Sequence, residues 1–192
     1  MKKFIFTLAI IFACVSASMA QDDAFGKGTI VFNAGVGIGG NLGGTGYSTT
    51  IPPIAISGEF GLTDALIKQT GKGYVGVGGY LAYSANKYSW GDWDGKDSGW
   101  KYTYMIIGAR GAFHYQFVPK LDTYAGIMLG YNIASSSTYG ASGWHSDYTN
   151  SIGGFSYSGF AGARYYFKEK FGVFAEAGYG ISNLELGITF KL

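Results

Sequence analysis

The last nine residues of the chain alternate strictly between apolar and polar side chains. The stretch 184–192 reads Leu-Glu-Leu-Gly-Ile-Thr-Phe-Lys-Leu. In an extended strand, successive side chains point to opposite faces, so this stretch has one apolar face and one polar face. A strand of about nine residues with two such faces is long enough to cross a membrane, with lipid on one side and water or polar side chains on the other.

The opposite end of the chain has the three regions of a secretory signal peptide. Lys2-Lys3 precedes an apolar run from Phe4 to Phe12, and Ser18-Met19-Ala20 forms a small-x-small cleavage site. The apolar run is too short for a membrane-spanning helix. We therefore predict that residues 1–20 are a signal peptide that is removed on export.

Removal of this segment changes the charge and the cysteine content. It leaves residues 21–192 with 12 basic and 12 acidic side chains, because two of the 14 basic residues lie within the segment. A chain without a clustered basic face is not typical of a nucleic-acid-binding protein. The single cysteine, Cys14, is also removed, which excludes disulfides and thiolate ligands. An alternative is lipidation at Cys14, since Ile11-Phe12-Ala13-Cys14 loosely resembles a lipoprotein box.

The composition of the chain favours strands over helices. Glycine contributes 33 residues and aromatic side chains 18% of the chain. Glycine at this level is costly in helices, and disordered chains are poor in aromatic residues. No stretch after residue 20 reaches the 18 or more apolar residues of a spanning helix.

The alternating pattern recurs along the chain and predicts eight strands, the number in the smallest membrane barrels. The predicted strands cover residues 28–38, 54–62, 73–85, 100–117, 123–134, 154–167, 172–181 and 184–192. The long connections begin at Gly39, Asn86 and Ser135, and shorter ones alternate with them. We therefore predict an all-β fold, an eight-stranded antiparallel up-and-down transmembrane β-barrel whose long loops face out of the cell.

Aromatic residues are expected near both membrane interfaces of such a barrel. The predicted outer belt contains Tyr83, Trp100, Tyr102 and Tyr131, and the predicted inner belt contains Tyr115, Phe117, Tyr165, Phe167 and Phe190.

Charged residues in the predicted strands share the face opposite the large apolar side chains. A soluble barrel would hide its apolar face inside, but the signal peptide favours the membrane arrangement, with the charges inside. Buried charges must be paired. The predicted lumen network consists of Glu59, Arg110, Arg164, Glu176 and Glu185. It either plugs the lumen or forms a gate whose ion pairs exchange partners.

The terminal strand is similar to the assembly signal of outer-membrane barrels, with a polar residue, a glycine and two spaced hydrophobic residues: Glu185, Gly187, Phe190 and Leu192. Together with Tyr165-Tyr166-Phe167 and the segment 174–180, it makes residues 21–192 resemble the small eight-stranded outer-membrane barrels, the family of the OmpA membrane domain, OmpX and porin-family proteins. The resemblance implies an outer-membrane location, contact with membrane lipid and lipopolysaccharide, and handling by the barrel-assembly machinery.

The predicted outer loops carry aromatic and acidic residues. Tyrosine and tryptophan among serine and glycine form adaptable recognition surfaces, but they also suit a lipid interface. The aromatic candidates for ligand contact are Tyr88, Trp90, Trp93, Tyr139, Trp144 and Tyr148. A weak Ca²⁺ candidate is formed by Asp92, Asp94 and Asp97, although their spacing is not that of an EF-hand.

The sequence favours a monomeric structural or surface-interaction protein without a cofactor, with an extracellular ligand at the outer loops. The first alternative is a small gated pore for ions or small solutes. The second is a lipid-modifying enzyme that uses His145 and Ser146. Adjacent residues rarely converge in a catalytic triad, so we expect the protein not to be an enzyme.

Overall fold

The computed structural model describes residues 24–40, 47–93, 96–140 and 150–192, without the side chains of 90–93, 96 and 97. The predicted signal peptide and Cys14 lie outside these ranges. The described part of the chain forms eight strands: β1 (Ile30–Ile38), β2 (Ser48–Gly61), β3 (Tyr74–Trp93), β4 (Lys96–Tyr115), β5 (Leu121–Tyr139), β6 (Asn150–Tyr166), β7 (Phe171–Gly178) and β8 (Leu184–Lys191).

The strands form a closed antiparallel barrel in which each strand pairs with its neighbours in sequence. β8 returns to β1 and closes the barrel, with Val31 opposite Lys191 and Ile38 opposite Leu184. The predicted all-β, eight-stranded up-and-down architecture is confirmed. Both β1 and β8 therefore have a neighbour on each side, which removes the open edges that a flat sheet would have.

Apolar side chains cover the outside of the barrel, as the alternation predicts. On β1 the outward residues are Phe32, Val36 and Ile38, between 48% and 59% exposed, while Val31 and Asn33 point inward and are buried. The other strands follow the same pattern. A surface of this kind is compatible with a lipid environment and not with water, so the barrel is a transmembrane one.

None of the helices in the described ranges is long and apolar enough to cross a membrane.

The long outer connections are shorter than predicted, because the strands continue into them. Residues 86–93 and 96–99 were expected in a loop, but β3 and β4 remain paired up to Trp93 opposite Lys96. Likewise β5 and β6 remain paired up to Ser136 opposite Asn150. Once both faces of a strand meet water, the apolar–polar alternation disappears while the backbone pairing persists. For this reason the lengths of these strands predicted from the sequence pattern were too short.

The start of β2 also differs from the prediction. Pro52 and Pro53 were expected to end a loop, but both lie inside β2, which begins at Ser48. The β2–β3 register shifts between Thr49 and Ile51 and again between Ile51 and Ile54. Proline has no N–H to donate to a ladder and is found in strands at edges and bulges, which accounts for the irregular pairing.

The predicted outer belt is only partly correct. Tyr131 faces outward and is 50% exposed. Tyr102 lies an even number of residues from Arg110 on a strand that pairs without a register shift, so it lies on the lumen side. Its ring packs against Tyr47 with centroids 5.3 Å apart. Trp100 shares this face, and we therefore correct the assignment of both residues to the lipid belt.

The barrel wall has two heights. β7, β8 and β1 contain eight, eight and nine residues, whereas β3 to β6 contain 17 to 20. β7 pairs with β6 only from Phe160 to Tyr166. Residues 150–158 of β6, called here the free edge, therefore have β5 on one side and no strand of the described chain on the other.

Candidate functional site

Charged side chains from six strands meet inside the barrel in two clusters. The first lies toward the end that holds both termini of the described chain, and it is built from β1, β2, β4, β5 and β6. The second lies above it and is built from β3 to β8. The structure places all five residues of the predicted lumen network inside the barrel, but it divides them between these two clusters.

Arg164 is the centre of the lower cluster and is fully buried. Its Nη1 donates to Asp122 Oδ2 at 2.9 Å, its Nη2 donates to Glu59 Oε2, and its Nε donates to Asn33 Oδ1 at 3.2 Å. One guanidinium thus satisfies two carboxylates and one amide. Arginine suits this position because its donors are arranged in a rigid fork.

His114 completes the lower cluster on the side opposite Arg164. Its Nδ1 lies 3.0 Å from Asp122 Oδ1, and its Nε2 lies 3.1 Å from Glu59 Oε1. An imidazole donates from both nitrogens only when it is protonated. With a protonated His114, two cations alternate with two carboxylates in a closed ring, and the cluster is neutral.

Two members of the lower cluster, His114 and Asp122, were not predicted from the sequence as part of the lumen network. His114 lies four residues after Arg110 in β4, an even spacing that places both on the same face, so parity alone would have identified it. Asp122 was assigned to a turn, because the strand that follows was expected to begin at Thr123, whereas β5 begins at Leu121.

Arg110 organises the upper cluster. Its Nη2 donates to Glu176 Oε2 at 2.6 Å, and the Tyr124 hydroxyl donates to the same oxygen at 2.9 Å. The guanidinium carbon lies 3.8 Å from the centroid of the Phe160 ring, a distance typical of a cation–π contact. Its Nε is buried and donates to none of the described residues.

Glu185 is the second carboxylate of the upper cluster and lies directly opposite Glu176 in the β7–β8 register. Its Oε2 accepts a hydrogen bond from the Tyr80 hydroxyl at 3.2 Å. Two neighbouring carboxylates thus share one arginine, and only Glu176 is in direct contact with it. The described residues lining the upper lumen therefore carry an excess of acidic groups.

Both ends of the lumen are covered by apolar side chains. At the lower end Phe25, which precedes β1, stacks on the His114 ring with centroids 3.7 Å apart and an angle of 12° between planes. At the upper end Ile181, from the β7–β8 connection, is 4% exposed. Between them, the cavity beside Arg110 and Glu185 has a volume of about 30 Å³, the share of a single water molecule. At the level of Arg110 and Glu185 the described lumen is therefore narrow, and a wider pocket of about 340 Å³ lies on the other side of Ile181, lined by Ser84 and Asn86.

The predicted aromatic contact residues are only partly within the described chain. Tyr88 packs against Tyr47 with ring centroids 5.4 Å apart, and the Tyr139 hydroxyl lies 2.7 Å from Ser89 Oγ. Both tyrosines thus lie above the barrel on the extended strands. Trp90 and Trp93 belong to β3, but their side chains lie outside the description, as do Trp144 and Tyr148 entirely.

The calcium and hydrolase candidates fall mostly outside the described residues. The backbone pairs Asp92 with Asp97 at the tip of the β3–β4 hairpin, while Asp94 and the side chains of all three are not described. His145 and Ser146 also lie outside. Within the described ranges, no three His, Cys, Asp or Glu side chains come close enough to hold a metal ion.

The four residues of the predicted assembly signal all belong to the β8 seam. Glu185 points into the lumen, and Leu192 is 60% exposed at the end of the strand. Phe190 packs against Phe171 with ring centroids 4.9 Å apart. At Gly187 a Cβ would lie 2.1 Å from the carbonyl oxygen of Ala34, so only glycine allows β8 to approach β1 this closely.

The free edge of β6 directs a row of backbone groups away from the barrel. Gly159 O accepts a hydrogen bond from Tyr179 N at 3.2 Å, and residues two apart in a strand direct their N–H and C=O groups to the same side. The β5–β6 pairing has no register shift along this stretch. The edge residues without a strand partner among those described are Ser151, Gly153, Phe155 and Tyr157.

These features define the architecture. A closed eight-stranded wall, an apolar outside and a lumen of paired charges occur together in one class of protein. The fold is that of the small eight-stranded outer-membrane β-barrels.

Comparison with solved structures finds similar chains at low sequence identity. The attachment invasion locus protein Ail of Yersinia pestis, in complex with the heparin analogue sucrose octasulfate, matches with 12% identity and a TM-score of 0.48, covering 86% of this chain and 96% of that chain. The N-terminal β-barrel domain of Pseudomonas aeruginosa OprF matches with 18% identity and a TM-score of 0.43, covering 88% and 100%.

A third similar structure is that of Neisserial surface protein A, which matches with 14% identity and a TM-score of 0.44, covering 85% of this chain and 93% of that chain. Comparison with models of known protein families found no match. Comparison with curated protein sequences found none either.

Proposed function

We propose that this protein is an exported outer-membrane surface protein that binds an extended segment of a partner protein along the free edge of β6. The observation that carries the proposal is the backbone of residues 150–158, which pairs with β5 on one side and with no described strand on the other. An exposed strand edge is a template for an additional strand, and main-chain hydrogen bonds give such a complex its affinity.

The position of the free edge supports binding on the outer side of the membrane. Phe155 lies ten residues before Tyr165, which belongs to the predicted inner belt. Since about ten residues of a tilted strand cross the apolar layer, Phe155 and Tyr157 lie near the outer interface. Both are 72% exposed. Alternating side chains next to the unpaired backbone would give the added strand its specificity.

The narrow lumen at the level of the two charge clusters supports a surface role over transport or catalysis. Arg164 and Arg110 each bridge the barrel to a carboxylate on another strand, and Phe25 and Ile181 cover the two ends. We infer a charge-plugged scaffold that presents its outer strands, acts without a cofactor and functions as a monomer in contact with lipid and lipopolysaccharide.

Selection of short random peptides against the folded barrel in lipid nanodiscs tests the proposal. Peptides that add a strand should alternate β-branched and polar residues and lack proline. Their affinity should fall about tenfold or more for Phe155→Pro, because proline removes an edge N–H and its ring obstructs the incoming strand.

Phe155→Ala is the matched control, since it also deletes the aromatic ring but keeps the N–H group. Binding that is equally strong to the Phe155→Pro and Phe155→Ala variants would mean that the backbone edge is not the contact. Selected peptides without any strand-like pattern would contradict the proposal in the same way.

A gated pore is the second candidate, and one observation favours it. Arg110 lies beside two neighbouring carboxylates but bonds only Glu176, so it could exchange Glu176 for Glu185. Single-channel recording in a planar bilayer tests this idea. Discrete openings that change in the Arg110→Ala variant would establish a pore governed by the upper cluster. A silent membrane, with a barrel that is folded by its heat-dependent gel mobility, would support the plugged scaffold.

A further inference from the structure

Every connection at the lower end of the barrel carries at least one lysine. The lower end is the one at which the described chain begins and ends, and its connections join β2 to β3, β4 to β5 and β6 to β7. We call this ring the lysine rim. Its members are Lys27, Lys68, Lys72, Lys120, Lys168 and Lys170.

Few acidic side chains oppose the lysine rim. Among the described residues of the three turns and the segment before β1, only Asp64 and Glu169 are acidic. Asp64 lies 2.7 Å from Lys27, and both side chains are more than half exposed, so this pair contributes little attraction. Asp22 and Asp23 precede the described residues and are not part of this count. The described rim thus has a net positive charge around its whole circumference.

An aromatic belt fixes the depth of the lysine rim in the membrane. Phe117, Phe167 and Phe171 project outward beside the turns and are 65%, 53% and 46% exposed. Aromatic rings of this kind lie at the level of the lipid headgroups. The Lys72 ammonium lies 5.6 Å from the centroid of the Tyr115 ring, so it remains next to the belt. The lysines are therefore at the depth of the lipid phosphates.

Lys120 occupies a conformation that disfavours lysine. Its φ is 63°, and among the described residues other than glycine it is the one with a positive φ. It follows Pro119 in a turn closed by a hydrogen bond from Leu121 N to Val118 O at 3.3 Å. Such a position normally selects glycine or asparagine. The charged side chain is thus present at a cost in backbone strain, which indicates a role for the lysine that the turn itself does not require.

Among the described residues, the opposite end of the barrel has no comparable ring. Lys87 and Lys101 face each other in the β3–β4 register, well above the barrel. The remaining lysine of the described outer strands is Lys96, next to the hairpin tip, and its side chain is not described. The described lysines at this end are confined to one hairpin, whereas at the lower end they surround the barrel.

We propose that the lysine rim binds the phosphate groups of anionic phospholipids in the membrane leaflet at the lower end of the barrel. Basic residues close to an anionic surface are attracted by about 1 kcal/mol each, within a Debye length. Around the barrel this attraction collects anionic lipids in the first shell. The proposal goes beyond the proposed function, which concerns the opposite end.

Electron paramagnetic resonance of spin-labelled lipids measures this selectivity directly. The folded barrel is reconstituted in phosphatidylcholine bilayers with a trace of labelled phosphatidylglycerol or, separately, labelled phosphatidylcholine. We expect phosphatidylglycerol to be enriched in the motionally restricted shell up to about fivefold, the ratio that corresponds to one lysine contact per lipid. The enrichment should decrease in 1 M salt, where the screening length is about 3 Å.

Two sets of substitutions distinguish the contribution of the lysine rim to lipid enrichment from that of other lysines. The rim variant combines Lys68→Gln, Lys72→Gln, Lys120→Gln, Lys168→Gln and Lys170→Gln, which removes charge and keeps side-chain length. The control variant combines Lys87→Gln and Lys101→Gln. Enrichment that is lost in the rim variant and retained in the control supports the proposal. Enrichment that persists in the rim variant, or that is absent from a correctly folded wild-type barrel, overturns it.

Lys120→Gly is a second and independent test, because we expect it to raise or maintain the stability of the barrel but to lower its selectivity for phosphatidylglycerol. Glycine relieves the strained φ, so this variant should be at least as stable as the wild type in phosphatidylcholine. Its selectivity for phosphatidylglycerol should nevertheless fall below that of the wild type. If the selectivity for phosphatidylglycerol were unchanged, the lipid phosphates would not be bound by Lys120. A barrel that failed to insert into either bilayer would instead contradict the transmembrane fold, and with it the proposed function.

Discussion

Arg164 holds two buried carboxylates and one amide in place at the same time. Removing one partner of a buried ion pair leaves an uncompensated charge in a medium of low polarity, and this costs more than the pair itself contributes. Arg164 pairs with both Glu59 and Asp122, and without it His114 is the remaining described partner of these two carboxylates.

We predict that Arg164→Ala lowers the free energy of unfolding by about 3–5 kcal/mol, as measured by urea unfolding of the barrel in lipid vesicles. Arg164→Lys should lower the free energy of unfolding by less, because lysine keeps the positive charge although it cannot form all three hydrogen bonds. Lys101→Ala, on the exposed outer hairpin, serves as control and should remain within about 0.5 kcal/mol of the wild type. A loss below about 1 kcal/mol for Arg164→Ala would mean that water reaches the lower cluster.

For individual residues, the sequence predicted which face of the barrel a side chain occupies better than it predicted which other residues that side chain contacts. The alternation of β2 and β4 was enough to assign Glu59 and Arg110 to the lumen, because parity decides which face a side chain occupies. It could not decide which charges meet, since this depends on the stagger between strands that are distant in sequence. The partner of Glu59 is Arg164, 105 residues away.

At the scale of the element, the closure between β1 and β8 requires a close approach of the two strands. Gly187 and Gly35 lie opposite each other in this seam. A Cβ at Gly187 would meet the backbone oxygen of Ala34 at 2.1 Å and the Phe174 ring at 2.7 Å. Backbone atoms cannot move aside as the end of a flexible side chain can, so an added methyl group must separate the strands.

We therefore predict that Gly187→Ala slows or prevents barrel closure, seen as a smaller folded fraction by heat-dependent gel mobility during refolding into vesicles. Gly159→Ala is the matched control, because a Cβ at Gly159 has no neighbour within 4 Å. The control should fold like the wild type and can gain slightly, since alanine has less conformational freedom when unfolded. Equal folded fractions for the two variants would contradict a tight seam.

The elements that the sequence located best are those with lipid on one face. The terminal strand was expected at 184–192 and is observed as Leu184–Lys191. The elements it located worst are the outer halves of β3 to β6, where tyrosine, serine and threonine stand on both faces of a water-exposed sheet. These residues have good strand propensity but no periodic pattern, so composition pointed to loops while hydrogen bonding between the strands produced a sheet.

At the scale of the whole molecule, the barrel has three zones that differ in their side chains and exposed backbone groups. The lumen holds two clusters of buried charges, the lower end carries the lysine rim, and the outer end carries extended strands with a free edge. The sequence indicated the barrel and its inward charges. It gave no sign of the free edge, because this depends on the difference in length between β6 and β7, and the predicted end of β7 lay three residues beyond the observed one at Gly178.

The unequal wall has a further consequence for the membrane around the protein. Eight residues at about 3.3 Å each, tilted by about 40°, span roughly 20 Å, less than the apolar band of about 25 Å found on typical barrels. The bilayer beside β7 and β8 must therefore thin or the barrel must tilt toward that side, whereas β3 to β6 meet no such mismatch. Either adjustment is directed to one side of the barrel, the side that contains the β1–β8 seam.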